Sequence, residues 1–140
     1  MSVISDRELL EIAVEARKAS YSPYSGYSVG AALLAKSGKV YSGCNVENAA
    51  FTPGNCAERT AVFKAVSSGE REFEAIAIAG GKNGSDPTDE CWPCGVCRQV
   101  LNEFVDGKAF RVITNSPSGE PAVHIFSELL PFAFGPNNLK

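Results

Sequence analysis

"CAERTAVFKAVSSGEREFEAIAIAGG", residues 56–81, carries the two periods from which the fold is read. In its first half Ala61, Val62, Ala65 and Val66 recur at helical spacing, and Gly69 offers a stop. In its second half "AIAIAGG", residues 75–81, is a short apolar run of the kind buried on both faces of a sheet. A helix feeding directly into such a strand belongs to an alternating strand–helix pattern, which implies a partly parallel sheet with helices on both faces.

Downstream the alternation continues. "KNGSDPTDE" (82–90) is a polar loop, "CGVCRQVLNEF" (94–104) a helix, and "FRVIT" (110–114) and "VHIF" (123–126) are strands. Upstream, Ser5 and Glu8 have the spacing of a capping box, and Leu9, Ile12, Ala13 and Ala16 predict a first helix over 6–19. "SYSPYSGYS" (20–28) is a turn-rich loop. "VGAALLA" (29–35), the turn "KSGK" (36–39) and "VYSGCNVE" (40–47) read as a hairpin, followed by the loop "NAAFTPGN" (48–55). No repeat, linker or low-complexity segment divides the 140 residues, so a single domain over 1–140 is expected.

Composition narrows the function. The 44% apolar and 21% charged content is that of an ordinary globular chain. A formal net charge of −3 opposes phosphate-backbone tracking, so no nucleic-acid partner is expected. No apolar run approaches the roughly 20 residues needed to span a bilayer, and "MSVISDRELL" lacks the form of a secretory signal. A cytoplasmic protein without a membrane partner is expected. Five cysteines in a reducing compartment suggest metal binding or catalysis ahead of disulfides.

Three of these cysteines form the ladder C-x-x-C-x-x-C in "ECWPCGVCRQ" (90–99). Alone it fits an iron–sulfur site, a structural zinc site or a redox pair. Pro93 divides it. Pro favours the first helical turn, so Cys94 and Cys97 fall at the start of a helix and on one face, and Cys91 stays outside. Cys56 begins the earlier helix in "C-A-E". Helix N-termini carry positive potential and favour thiolates. Three thiolates from two helix starts can hold one Zn²⁺ and leave its fourth position for water, the form of a catalytic site. Glu58, two residues after Cys56, is placed to move protons as general base and then acid. Arg59 and Arg98, each beside a candidate ligand, are expected to offset the charge of the sulfurs. Cys44 reads as a plain buried thiol, and His124, the only histidine, as a half-exposed strand residue. C-x-E followed by P-C-x-x-C is the signature of zinc nucleobase deaminases.

The likeness is wider than that signature. "YSPYSGYSVGAALL", "GCNVENAAF", "NCAERTAVFKAVSSG", "PCGVCRQVLNEF" and "ELLPFAFGP" resemble, in order, segments of the short cytidine deaminases. The resemblance implies an α/β/α three-layer sandwich around a mixed five-stranded sheet. It also implies hydrolytic deamination of cytidine and deoxycytidine, in pyrimidine salvage, by zinc-bound hydroxide. Cys56, Cys94 and Cys97 would be the zinc ligands and Glu58 the proton carrier to N3 and the leaving amine. Asn45 and Glu47 match residues that bind ribose hydroxyls; Tyr27, Ala57 and Phe134 would meet the nucleoside, Phe134 from a neighbouring subunit of a homotetramer. The chain departs from the family at Tyr27 (commonly Phe), Phe132 (often Gly), Trp92 (usually small) and in a longer loop at 82–91. Two other readings stay open: a deaminase of a cytosine-bearing antibiotic, and a non-catalytic module closed by four cysteines including Cys91.

Overall fold

The structure, a computed structural model, describes residues 4–140. Helix α1 (Asp6–Ala16) opens with the expected reciprocal cap: Ser5 accepts from the Glu8 amide and Glu8 accepts from the Ser5 amide. Its last turn tightens into a 3₁₀ turn, Arg17–Ala19, within the span expected for the first helix. Strands β1 (Tyr27–Ala35) and β2 (Val40–Cys44) form the antiparallel hairpin. Then come α2 (Ala57–Ser67), β3 (Phe73–Lys82), α3 (Gly95–Asn102), β4 (Arg111–Asn115) and β5 (Pro121–Ile125). A short α4 (Phe126–Leu129) and a 3₁₀ turn (Pro136–Leu139) complete the chain; neither was expected from sequence.

The sheet runs β2-β1-β3-β4-β5. Only β3 and β4 pair in parallel, joined by α3, so the sheet is mixed and five-stranded as expected. Its two faces are built differently. On one, Ala75, Ala77 and Ala79 of β3 present only methyl groups, and Leu9, Leu10 and Ala13 of α1 settle against them. On the other, Ile76 and Ile78 fill the space beneath Ala57, Ala61 and Ala65 of α2 and Leu101 of α3. Alternation along one strand therefore sets how deep the helices sit on each side.

Glycines mark the closest approaches. A Cβ at Gly30 would lie 2.0 Å from the Ala13 carbonyl oxygen, and one at Gly43 would lie 2.6 Å from the Ala61 nitrogen. So α1 rides on Gly30 and α2 on Gly43. The second contact matters for chemistry, because it fixes the depth of the helix that carries Cys56 and Glu58. No helix among the described residues is long and apolar enough to cross a membrane.

Candidate active site

Cys56 is the N-cap of α2 and Cys94 the N-cap of α3, both in extended backbone (φ −76°, ψ 157°; φ −68°, ψ 169°). Pro93 thus precedes the cap and does not enter the first turn. Cys97 lies one turn into α3 and is buried. The three sulfurs lie within 4.8 Å of one another, with Cys56 Sγ and Cys94 Sγ 3.8 Å apart. Two thiolates about 2.3 Å from one tetrahedral ion stand about 3.8 Å apart, so the spacing fits zinc. Soft sulfur donors fit it chemically as well. Cys91 does not join the group. A closed four-cysteine site is therefore not formed, and the non-catalytic module loses its basis.

The electrostatics favour thiolate at Cys56. Hydrogen bonding from Cys97 is the largest influence, followed by Arg59 and Cys94, and together they overcome burial to bring its pKa down to about 5. Cys97 is raised by the same shared hydrogen bond, then by burial, and keeps its proton until a metal displaces it. Arg59 donates from Nη2 to Cys56 Sγ at 3.4 Å, as expected. Its buried Nε has no partner among the described residues. Arg98 behaves otherwise. It donates to the Pro93 carbonyl at 2.7 Å and the Leu129 carbonyl at 2.6 Å, both backbone oxygens instead of a thiol. Arg98 braces the loop before α3 and is not a partner of the sulfurs.

Glu58 sits in the first turn of α2, only 5% exposed. Burial raises its pKa to about 7, with the Cys56 charge adding to the rise and its own backbone N–H and Arg59 opposing it. A carboxyl that titrates near neutrality can both take and give a proton there.

Beside Cys56 opens a cleft of about 400 Å³, lined by Tyr24, Asn45, Glu47, Phe51, Asn55 and Arg59 among others. A larger cleft, about 640 Å³, lies around Arg17 and Asn83 and includes none of the clustered cysteines. Asn45 is heavily committed to the protein. Its Oδ1 accepts from the Val29 amide at 2.9 Å and from the Ser20 hydroxyl, and its Nδ2 donates to the Tyr27 carbonyl at 2.9 Å. One amide N–H is left for a ligand. Glu47 Oε1 accepts from the amides of Tyr24 and Ser25 at 3.0 Å, and Oε2 from the Ser25 hydroxyl. These bonds, led by the Ser25 hydroxyl, hold its pKa below the usual carboxylate value.

Three expected substrate contacts fall elsewhere within this chain. The Ala57 methyl is wholly buried in the core, so only its backbone is available. Tyr27 is outside the cleft lining, and its hydroxyl donates to Asp89 Oδ2 at 2.9 Å. Phe134 is 60% exposed on the tail, with its carbonyl accepting from Gln99 and Asn102. Tyr24 and Phe51 were not singled out for this site. They line the cleft with rings edge to face at 6.5 Å, and the only sequence signal was their place in two turn-rich loops.

The profile of the cytidine and deoxycytidylate deaminase zinc-binding region matches residues 3–113. The chain belongs to that family. A cytidine deaminase of Sporosarcina psychrophila is 46% identical over 132 residues, 94% of this chain and 93% of that one. The crystal structure of a cytidine deaminase from Burkholderia pseudomallei superposes with a TM-score of 0.82 at 44% identity, over 94% of this chain and all of that one. One from Mycobacterium tuberculosis gives 0.77 at 36% identity, over 94% and 98%. The α/β/α architecture of this family is the one described above. Membership makes the chain a zinc-dependent deaminase, and the three clustered sulfurs are the donors positioned for that metal.

Proposed function

We propose that the chain hydrolyses the 4-amino group of cytidine and deoxycytidine, releasing uridine or deoxyuridine and ammonia. The observation that carries this reading is the buried Glu58 at the first turn of the helix whose N-cap is Cys56, beside the sulfur cluster. Cys56, Cys94 and Cys97 would hold the zinc. The metal supplies Lewis acidity that makes water nucleophilic near neutral pH.

The chain's own groups do the rest. Glu58 takes the proton that the attacking water gives up and passes it to N3 of the base. It then takes the second proton, from the hydroxyl now on C4, and delivers it to the amine as C4=O forms and the C4–N bond breaks, so the amine leaves as ammonia. Arg59 offsets the negative charge of the sulfurs. Glu47 and the remaining N–H of Asn45, both on the cleft lining, bind the sugar hydroxyls. A carboxylate held ionised by three donors is ready to accept from a hydroxyl, and it discriminates against ligands that lack one.

The assembly in this reading is a homotetramer with Phe134 lent to a neighbour's site. Phe134 and Phe51, 60% and 81% exposed, are large apolar rings that an interface would cover. Pyrimidine salvage in the cytoplasm is the corresponding role. Incubation of the purified protein with cytidine should shift the ultraviolet spectrum to that of uridine, with one ammonia released per nucleoside. A cytosine-bearing antibiotic consumed while cytidine is left intact would contradict the assignment.

A further inference from the structure

Tyr27, Asp89 and Cys91 form a cluster that the mechanism above does not use. Tyr27 opens β1 on the face of the sheet that carries α2 and α3, and its hydroxyl donates to Asp89 Oδ2 at 2.9 Å. Asp89 makes an isolated antiparallel bridge to Gly80 near the end of β3. A Cβ at Gly80 would lie 2.9 Å from Cys91 Sγ, 3.0 Å from Tyr27 Cε2 and 3.1 Å from its hydroxyl. Sulfur, phenol ring and glycine are thus in one packed contact that no larger residue at 80 would permit.

This contact ends the loop 82–91. The rest of that loop is held from the other side. Arg17 donates to the carbonyls of Lys82 and Ser85, Asn83 bonds with Ser22, and Asn115 donates to the Pro87 carbonyl. Among the described residues, Tyr27 to Asp89 is the side-chain bond that ties the loop's far end to β1. The Cys91 amide donates to buried Thr114 at 2.9 Å, which leads the chain straight on to Cys94.

Burial chiefly, and then Glu58, raise the pKa of Cys91 to about 12, so the thiol is neutral. The phenol is raised too, by burial first and then by its bond to Asp89.

We infer that Tyr27 and Asp89 are a positioning pair. Their hydrogen bond docks residues 86–90 against β1 and thereby holds Cys91 against Gly80, three residues before Cys94. The pair acts on the site through the segment 91–94 that it holds in place, and does not touch the reacting atoms. This inference rests on the deaminase reading, and its test separates the two.

The variants are Tyr27→Phe, Asp89→Ala, Asp89→Asn and the double Tyr27→Phe/Asp89→Ala, each purified with its zinc. Amide hydrogen exchange of residues 83–90 is followed alongside cytidine kinetics. The pair predicts that Tyr27→Phe and Asp89→Ala each speed exchange in 86–90 and raise KM about fivefold, the scale of one hydrogen bond, with kcat within twofold. The double variant should be no worse than either single one. Asp89→Asn keeps an acceptor oxygen and should recover most of the protection lost in Asp89→Ala. Unchanged exchange and KM in both single variants would overturn the proposal, as would additive effects in the double. Should Tyr27→Phe fold poorly, the Asp89 pair of variants decides alone, since Asp89 is exposed. Failure of the wild type to turn over cytidine would overturn the deaminase reading, and the exchange data would still decide the tie.

Discussion

Cys56 and Cys94 hold the same place on two different helices: each is the N-cap residue, and their sulfurs stand 3.8 Å apart. Neither thiol closes its own helix by a hydrogen bond, so each is free to turn toward the other. Two helix N-termini thereby point at one spot. Their partial positive charges, with the Arg59 guanidinium, offset the cost of gathering sulfur anions there. The metal-binding geometry is a consequence of how α2 and α3 start.

Cys94→Ser should lower zinc from about one per chain to well below half, and activity should fall with it. Cys44→Ser is the control. Cys44 lies at the end of β2 away from the cluster and should leave metal content and turnover at wild-type levels. Metal analysis of the two purified variants checks both.

Arg59→Gln removes the cation that donates to Cys56. The thiolates then repel without compensation, and zinc should bind about 10- to 100-fold more weakly. A chelator competition titration measures this. Arg98→Gln should have a smaller effect on zinc, because Arg98 bonds to the Pro93 and Leu129 carbonyls.

Gly43→Ala should cost about 1–3 kcal/mol, because the new methyl meets backbone atoms of Ala57 and Ala61 at 2.7 and 2.6 Å. Backbone cannot turn aside as a side chain can, so α2 must lift from the sheet and carry Cys56 and Glu58 with it. Denaturant unfolding reports the loss, and kcat should fall by a larger factor than the change in folded fraction allows.

The acid limb of stability should involve Glu8 and Glu47. Both carboxyls are held below the usual 4.5, Glu8 chiefly by the Ser5 amide and Glu47 chiefly by the Ser25 hydroxyl. A depressed carboxyl contributes stability that is full above its unfolded value and is lost as pH falls through its lower folded value. Glu47→Gln should therefore flatten the fall in Tm below pH 4.5 and leave its slope above pH 6 unchanged. Thermal scans across that range test it.

Much of this was legible in sequence because it rests on periodicity and on ligand chemistry. The capping box, the hairpin and the 3.6 and 2 periods are local signals, and the elements stand where those signals put them. Thiol ligands are likewise forced in type and spacing. What was illegible depends on direction. Arg98 follows the N-cap Cys94 by four residues much as Arg59 follows the N-cap Cys56 by three, so position along the helix does not separate them. Tertiary carbonyls then claim Arg98. Asn45 read as a sugar ligand, yet most of its bonds go to Ser20, Tyr27 and Val29, which only the folded loop brings to it. The four-residue α4 is too short to show a period. Phe132, at φ 53°, stands in a left-handed conformation that the frequent glycine of the family would adopt without strain.

The most direct test of the central claim is cytidine turnover by the zinc-loaded wild type and by Glu58→Ala, followed by ultraviolet absorbance. The wild type should convert cytidine to uridine. Glu58→Ala should retain its zinc and fold and lose about 10²- to 10⁴-fold in kcat, the usual worth of a placed proton carrier. Wild-type turnover in Glu58→Ala, or a zinc-loaded wild type that leaves cytidine unchanged, would contradict the account.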